Sequence, residues 1–451
     1  MRVVVLGAGT VGASVAEMLC QHGHSVTVVD HNPGVARRVN DELDVRAVSG
    51  SAAQSSVLFQ AGVMDSDLCL ALTGSDEGNM IAASIAKAMG ARRAVARVYA
   101  PVFRDLSTFD YQRHLKIDRL LSLEHLSAME LARKIREPGS LAIESFAHGN
   151  LEMQELAVAK ATAAVGVPLR ELKLPKAVRV GSILRGGKLM IADAGEKVMV
   201  GDRVTLIGAR EDIDDVKSRF DVETPQKRGI VIAGGGETGY HLARVLEGPR
   251  FAIVLIEADR GRCDFLASHL KQTTVVHCDV QRRADLEEER VGSADVFVAC
   301  TGDDENNIMA CVEARELGAK KTAALVGRPD YANVVGKLGI DETVSPREVV
   351  ARQVLGFLNT GPVIFRNALL WGGGIEILEV EVVAGAPVTE HVLANVDLPP
   401  QCLVAAVIHE SYVRVPGADD RLKPGDTAIV FAGDESVDGA LALFQTNGRA
   451  S

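Results

Sequence analysis

Gly7, Gly9 and Gly12 stand at the spacing GxGxxG, and Asp30 follows 18 residues after the last of them. Residues of these types at this spacing suit one task, the holding of a pyrophosphate and a ribose. Gly7 permits a tight turn, Gly9 lets the backbone approach the phosphates, and Gly12 lets a helix pack closely on a strand. The helix that begins there offers unpaired N–H groups and the positive end of its dipole to an anion. Asp30 can accept hydrogen bonds from ribose hydroxyls, and its charge disfavours a 2′-phosphate. NAD(H) or an adenine nucleotide is therefore expected over NADP(H). The competing reading is a glycine turn that serves packing alone and binds nothing.

Two further groups belong to the same expected crevice. Thr73, Gly74, Asp76, Glu77 and Asn79 follow an apolar run and precede a helical one, where ligands lie on an open parallel sheet. Helix capping by Ser75 or Asp76 would explain most of them equally well, whereas Asn79 falls inside the helix, where Asn has poor propensity. Arg97 ends the next strand, as a phosphate clamp or as half of a surface ion pair. A dehydrogenase would need an acid–base group facing its nicotinamide. The 11 His are dispersed, and no GxSxG, P-loop or HExxH occurs. An NAD-dependent oxidoreductase is the alternative reading, and a non-enzyme is the favoured one.

The elements that must position these residues are legible from periodicity. Strands are expected at Val3–Leu6, Ser25–Asp30, Val45–Ser49, Leu68–Leu72 and Ala94–Val98, with helices between them, such as Pro33–Leu43 and Glu77–Met89. The alternation predicts a parallel sheet wound on both faces. A helical stretch over Phe103–His114, a short strand near Leu120 and a helix Glu124–Arg136 follow, stopped by Pro138 and Gly139. Shorter strands at Glu155–Ala159, Gly187–Ala192 and Arg203–Ile207 suggest a small α+β lobe, and 224–228 reads as a polar linker.

The second half repeats the first. Gly7, Gly9, Gly12 and Asp30 recur 227 positions on as Gly234, Gly236, Gly239 and Glu257. TGSDEGN at Thr73–Asn79 recurs as TGDDENN at Thr301–Asn307, Pro101 as Pro329, and Gly201-Asp202 as Gly425-Asp426. The copies differ where it matters: Glu237 puts a negative charge inside the second glycine turn, opposing a pyrophosphate unless it points to solvent, and Leu325 replaces Arg97. The second turn is the poorer anion site.

Composition bounds the partners. The 451 residues are too many for one core, and a net charge of −11 argues against a grip on nucleic acid or anionic lipid. Seven scattered Cys without a CxxC pair read as reduced core thiols. No apolar stretch reaches the ~18 residues of a membrane span, and no signal-peptide pattern opens the sequence, so neither membrane insertion nor secretion is expected.

The glycine turn VVVLGAGTVGASVAEMLCQHGHSVTVVD, the loop TGSDEGN, Arg97 in VARVYAP and the duplication together resemble the TrkA-type regulatory subunits of bacterial Trk potassium uptake, built from tandem RCK (regulator of potassium conductance) domains. The resemblance implies two Rossmann-like doubly wound parallel-sheet domains, each followed by a small α+β C-terminal lobe, over 1–138, 139–223, 228–360 and 361–451. It implies a cytoplasmic homotetramer, peripheral on the inner face of the membrane through a potassium-translocating subunit of TrkH/TrkG type. NAD(H) and ATP/ADP would be its ligands. Contacts would come from Gly7, Ala8, Gly9, Thr10, Val11, Gly12, Asp30, Ser51, Ala52, Thr73, Gly74, Glu77, Asn79 and Arg97. In the second copy they would come from Gly234, Gly236, Thr238, Gly239, Glu257, Asp279, Thr301 and Asn307. Gating would follow if a nucleotide binds one ring geometry better than another, with Phe103–Arg136 and Tyr331–Leu358 as hinges.

Overall fold

The structure is a computed structural model that describes residues 1–105, 109–135, 144–146, 151–158, 161–162, 164–175, 177–208, 212–213, 216, 220, 227–248, 251–328, 331–358, 363–368, 374–409 and 412–445. The expected helix stop at Pro138 and Gly139, most of the 224–228 linker and Pro329 lie outside the described residues. Among the described residues no helix is long and apolar enough to cross a membrane.

In the first half, strands β1 (Arg2–Leu6), β2 (Ser25–Asp30), β3 (Arg46–Ser49), β4 (Leu68–Ala71), β5 (Ala94–Arg97) and β6 (Arg119–Leu121) form one sheet in the order β3-β2-β1-β4-β5-β6. Every pairing is parallel, with Arg2 opposite Ser25 and Val3 opposite Leu68. The near-continuous apolar strands require cover on both faces. It comes from helices including α1 (Thr10–Gln21), α2 (Pro33–Glu42), α3 (Ser55–Gln60) and α4 (Asp76–Met89). The expected helical stretch over Phe103–His114 is a 3-10 turn at Pro101–Arg104 and a single turn α5 (Tyr111–His114). Helix α6 (Leu123–Ile135) follows β6.

The first small lobe is antiparallel: β7 (Glu144–Phe146), β8 (Leu151–Ala157), β9 (Val178–Arg185), β10 (Lys188–Ile191) and β11 (Arg203–Gly208), in the order β10-β9-β11-β8-β7.

The second half rebuilds the first. Its parallel sheet holds β12 (Arg228–Ala233), β13 (Phe251–Glu257), β14 (Thr273–His277), β15 (Val296–Ala299), β16 (Thr322–Leu325) and β17 (Glu342–Val344), in the order β14-β13-β12-β15-β16-β17. Its helices are α7 (Glu237–Leu246), α8 (Arg260–His269), α9 (Arg283–Glu288), α10 (Asp304–Leu317), α11 (Ala332–Val335) and α12 (Pro346–Gly356). The second small sheet has β18 (Val363–Ala368), β19 (Ile375–Glu381), β20 (Cys402–His409), β21 (Tyr412–Arg414) and β22 (Thr427–Gly433), in the order β18-β19-β22-β20-β21, with α13 (Val437–Ala442) after it.

Like packs on like. Contacts gather 1–135 with 225–358 as one unit, and 136–224 with 359–451 as another. In the second unit the two small sheets share a core of Met153, Ile191 and Ile207 with Ile377, Ile429 and Phe431.

In the first unit the halves exchange helices. Ala128, Leu131, Ala132 and Ile135 of α6 lie in the core formed by Ile230, Ile232, Leu242 and Val298 of the other half. Helix α12 in return packs on α1. Each exchanged helix ends on an arginine of the opposite half: Arg228 donates to the Ile135 carbonyl at 3.3 Å, and Arg93 to the Phe357 carbonyl at 2.8 Å. Burial of Leu131 and Ile135 is worth about 1.5–3 kcal/mol each. A bridge such as Lys134–Glu342, with Glu342 47% exposed, adds at most about 1 kcal/mol. Apolar packing therefore decides the exchange.

Candidate functional site

The first glycine turn has the geometry that its spacing predicts. Gly7 has φ +100°, in the left-handed region that favours glycine, and a Cβ there would press on Thr73 at 3.0 Å. A Cβ on Gly12 would stand 1.9 Å from the Gly7 carbonyl oxygen, an overlap that nothing can relieve locally. Gly9 is different: a Cβ there would meet nothing within 4 Å. Gly9 and Thr10 are exposed and Val11 is half-buried. Helix α1 begins at Gly9 with no side-chain cap and no acidic residue in its first turn. Its first N–H groups therefore face an open space with no anion of their own.

Asp30 sits at the end of β2 beneath this turn, 8% exposed. Its carboxylate accepts from the Ala8 N–H at 2.7 Å and the Asn32 N–H at 2.8 Å. A carboxylate offers about four acceptor positions, which leaves capacity for ribose hydroxyls. Ala8 itself is fully buried with its N–H committed to Asp30, so it supports the turn rather than touching a ligand. Ser51 and Ala52 lie half-exposed just past β3, and the Ser51 hydroxyl accepts from the Ala53 N–H.

The loop after β4 completes the crevice, and here one expectation is corrected. Asn79 is fully buried and uses its whole amide: Oδ1 accepts from the Thr73 N–H and hydroxyl at 2.8 and 2.6 Å, while Nδ2 donates to the Thr73 and Arg97 carbonyls at 3.0 Å each. With no polar atom left over, Asn79 braces the loop against the end of β5 instead of contacting a ligand. Asn307 repeats the brace on Thr301 and the Leu325 carbonyl and is 1% exposed, so the correction applies to both copies. Its retention in the repeat follows from this buried bonding.

Asp76 is a second brace. Its two oxygens accept the Tyr99 and Ala100 N–H groups at 2.8 Å, as Asp304 does for Gly327 and Arg328. Ser75 caps α4 by accepting from the Gly78 N–H, which is the capping alternative that the sequence leaves open. Gly74 and Glu77 remain exposed at the rim.

Arg97 stands in an ion pair: its Nη2 donates to Glu124 Oε1 at 3.3 Å, with 22% of the side chain exposed. The partner lies at the start of α6, the helix given to the other half. Sequence reasoning did not reach Glu124, because the pairing depends on where β6 delivers the chain.

The second turn has the same backbone and a different mouth. Gly234 has φ +106°, and a Cβ on Gly239 would lie 1.9 Å from the Gly234 carbonyl oxygen. Glu257 accepts from the Gly235 N–H at 2.7 Å and from the Asp259 N–H at 2.8 Å, repeating Asp30 with one more methylene. Gly235, where the first turn has Ala8, makes room: a Cβ there would come within 2.9 Å of Glu257 Oε2. Thr238 is buried at 7% exposure, Thr301 is tied to Asn307, and Asp279 caps its own loop through the Gln281 N–H.

Glu237, however, does not point to solvent. It is 7% exposed, and Oε1 accepts from Arg262 Nη2 at 3.0 Å. Arg262 also donates to the Gly235 carbonyl at 2.7 Å. One turn along α7, His241 Nε2 lies 3.0 Å from Arg104 Nη2 of the first half and 3.7 Å from Glu237 Oε2. The His125 ring of α6 stands edge-on to His241, with centroids 5.0 Å apart. Burial, then the neighbouring cations, pushes His125 down to about 4; burial, then His125 and three arginines, pushes His241 down to about 2. Both rings are therefore neutral at pH 7, and His241 Nε2 accepts from Arg104. Tyr99 is 49% exposed: burial raises its phenol first, and Glu237 and Glu124 raise it further against Arg262 and Arg97.

Comparison with known proteins follows the same division of the chain. The TrkA-N domain model matches residues 3–117 and 230–346, and the TrkA-C domain model matches 153–221 and 377–445. The Trk system potassium uptake protein TrkA of Azorhizobium caulinodans is 31% identical over 461 residues, covering 99% of both chains. That of Haemophilus influenzae is 32% identical over 457 residues, again 99% of both. A TrkA homolog of Archaeoglobus fulgidus is 31% identical over 445 residues, 99% of this chain and all of that one. Among solved structures, the GsuK channel bound to NAD superposes with a TM-score of 0.58 at 19% identity, over 98% of this chain and 78% of that one. The GsuK RCK domain gives 0.57 at 18% identity, over 98% and 94%. At such identities the structures speak for the fold alone, and they share this one.

Proposed function

The chain belongs to the TrkA family of Trk potassium uptake proteins, with paired TrkA-N and TrkA-C domains, and from that premise we propose that it is a nucleotide-sensing regulatory subunit rather than an enzyme. Its sensor is the first glycine turn, and its effector is a membrane potassium-translocating subunit of TrkH/TrkG type. The observation that carries this reading is the open head of α1, which has free N–H groups, no acid of its own and Asp30 set beneath it. NAD(H) or ATP/ADP would lay its phosphates on Gly7, Gly9, Thr10, Val11 and Gly12 and its ribose on Asp30. Ser51, Ala52, Thr73, Gly74 and Glu77 would line the rim. GsuK bound to NAD and GsuK bound to ADP share the fold and take such ligands.

Coupling follows from Arg97. A phosphate within its reach competes with Glu124, and Glu124 stands at the head of α6, whose other end lies in the core of the opposite half. Binding that draws Arg97 away leaves Glu124 beside the Arg104–His241 contact, so ligand at the first turn biases how the two halves meet. Lobes bounded at 1–138, 139–223, 228–360 and 361–451, assembled as a homotetrameric ring on the cytoplasmic face, would pass that bias to the membrane subunit.

Potassium flux into vesicles carrying the membrane subunit and the full chain tests this reading. Flux should change on adding ADP, ATP or NAD(H), and Asp30→Ala should remove the response. Equal flux with and without every one of these nucleotides, while they still bind, would defeat it.

A further inference from the structure

The second glycine turn carries an anion at the head of its helix already. Glu237 is the first residue of α7 and is 93% buried, counted from its 7% exposure. Its place in the repeat is that of Thr10, which is exposed. Arg262, which holds it, takes the place of Val35. The guanidinium is fixed on three sides: by Glu237 Oε1 at 3.0 Å, by the Gly235 carbonyl at 2.7 Å and by the Phe265 ring, whose centroid is 4.5 Å away. A side chain held in this way loses little further freedom on staying there.

The other carboxylate oxygen makes a second, independent point. Glu237 Oε2 is buried and has no hydrogen-bond partner among the described residues. Its neighbour His241 cannot donate to it, because the facing Nε2 accepts from Arg104. A buried acceptor without a donor is costly by itself, by about 1–3 kcal/mol, and is retained where something else holds it in place. What holds it here is Arg262, which bonds the other carboxylate oxygen and the Gly235 carbonyl; among the described residues no N–H group of the α7 head donates to the carboxylate.

We propose that the chain plugs its own second glycine turn with charge: Glu237, tied down beside the turn by Arg262, repels the ligand's phosphates, and this lobe carries no nucleotide. One turn along α7 from it, His241 accepts from Arg104 of the first half, so the plug lies beside the contact between the halves. The inference rests on reading the glycine turns as nucleotide sites. It deepens that reading by making the sensor one-sided, with one nucleotide per chain.

Calorimetric titration of the full chain with ADP, ATP, NAD and NADH tests the plug. The wild type should bind one equivalent per chain, lost in Asp30→Ala. Glu237→Thr combined with Arg262→Val, which installs the first turn's residues, should add one equivalent that survives Asp30→Ala. Two equivalents in the wild type overturn the proposal, as does a folded double variant, checked by circular dichroism, that gains none. Should the double variant fail to fold, Glu237→Gln keeps the shape and removes the charge. It should tighten the second turn at least about tenfold, and no gain there is equally fatal. A wild type that binds nothing beside a double variant that binds one equivalent keeps the plug and discards the first turn as sensor.

Discussion

The two glycine turns share a backbone and differ in their mouths. At the first, Thr10 and Gly9 are exposed, Val35 takes the place in the repeat that Arg262 has in the second, and Arg97 is occupied by Glu124. At the second, Glu237 and Arg262 fill the same positions with an ion pair whose carboxylate is buried and whose guanidinium is half-buried. The difference separates two roles that a glycine fingerprint confounds. Gly7, Gly12, Asn79 and Asp76, with Gly234, Gly239, Asn307 and Asp304, preserve a shape, while the residues between them decide whether the shape holds a ligand. Retention of the fingerprint reports the first role only.

If the shared residues are structural, damage to them should be equal in the two halves. Gly12→Ala and Gly239→Ala each place a Cβ 1.9 Å from a carbonyl oxygen, and each should destabilise by more than about 3 kcal/mol, read from the urea midpoint. A large loss in one half alone would break the equivalence. Asn79→Leu and Asn307→Leu strand the carbonyls and N–H groups that the amides serve, and each should cost about 2–3 kcal/mol with nucleotide present or absent. A loss at Asn79 that appears only in nucleotide affinity would restore it as a ligand contact.

The boundary between the halves should be acid-sensitive. His125 and His241 have folded pKa values below the unfolded value of about 6.5, so the unfolded chain takes up protons first. Stability is complete above that value and falls as pH drops through it toward about 4 for His125, with His241 continuing lower. Each ring contributes a slope of up to about 1.4 kcal/mol per pH unit. Unfolding midpoints from pH 7 to 5 should flatten in His241→Ser, which carries the first turn's Ser14. Smallest in stability is Arg97→Leu, the second half's own residue. The loss of a part-buried ion pair should shift stability by about 1 kcal/mol or less, while the affinity of the first turn falls.

Much of this was legible in the sequence, and for a physical reason. Glycine turns are constraints on the backbone, readable wherever strand, turn and helix signals occur at fixed spacing, and the repeat doubled the signal. The parallel, doubly wound character of the large sheets followed from the alternation of strands and helices. The exchange of α6 and α12 was not legible, because an apolar helix face does not say which sheet it will cover. Asn79 misled because a buried amide with four bonds and a ligand contact leave the same mark on a repeat. Glu237 was visible as a charge in the wrong place, but its direction depended on Arg262, which lies 25 residues away on another helix.

The asymmetry can be tested at the middle glycine of each turn, Gly9 and Gly236, where a Cβ would meet nothing. A Cβ on Gly9 or Gly236 has open space, so alanine at either position leaves the fold intact and blocks only what approaches from outside. Affinity for ADP, ATP, NAD and NADH, titrated onto Gly9→Ala and Gly236→Ala chains side by side, is the most direct measurement. If only the first turn receives a pyrophosphate, as proposed, Gly9→Ala should weaken binding at least about tenfold and Gly236→Ala should leave it unchanged. Loss of binding in Gly236→Ala with none in Gly9→Ala would contradict the account at its centre.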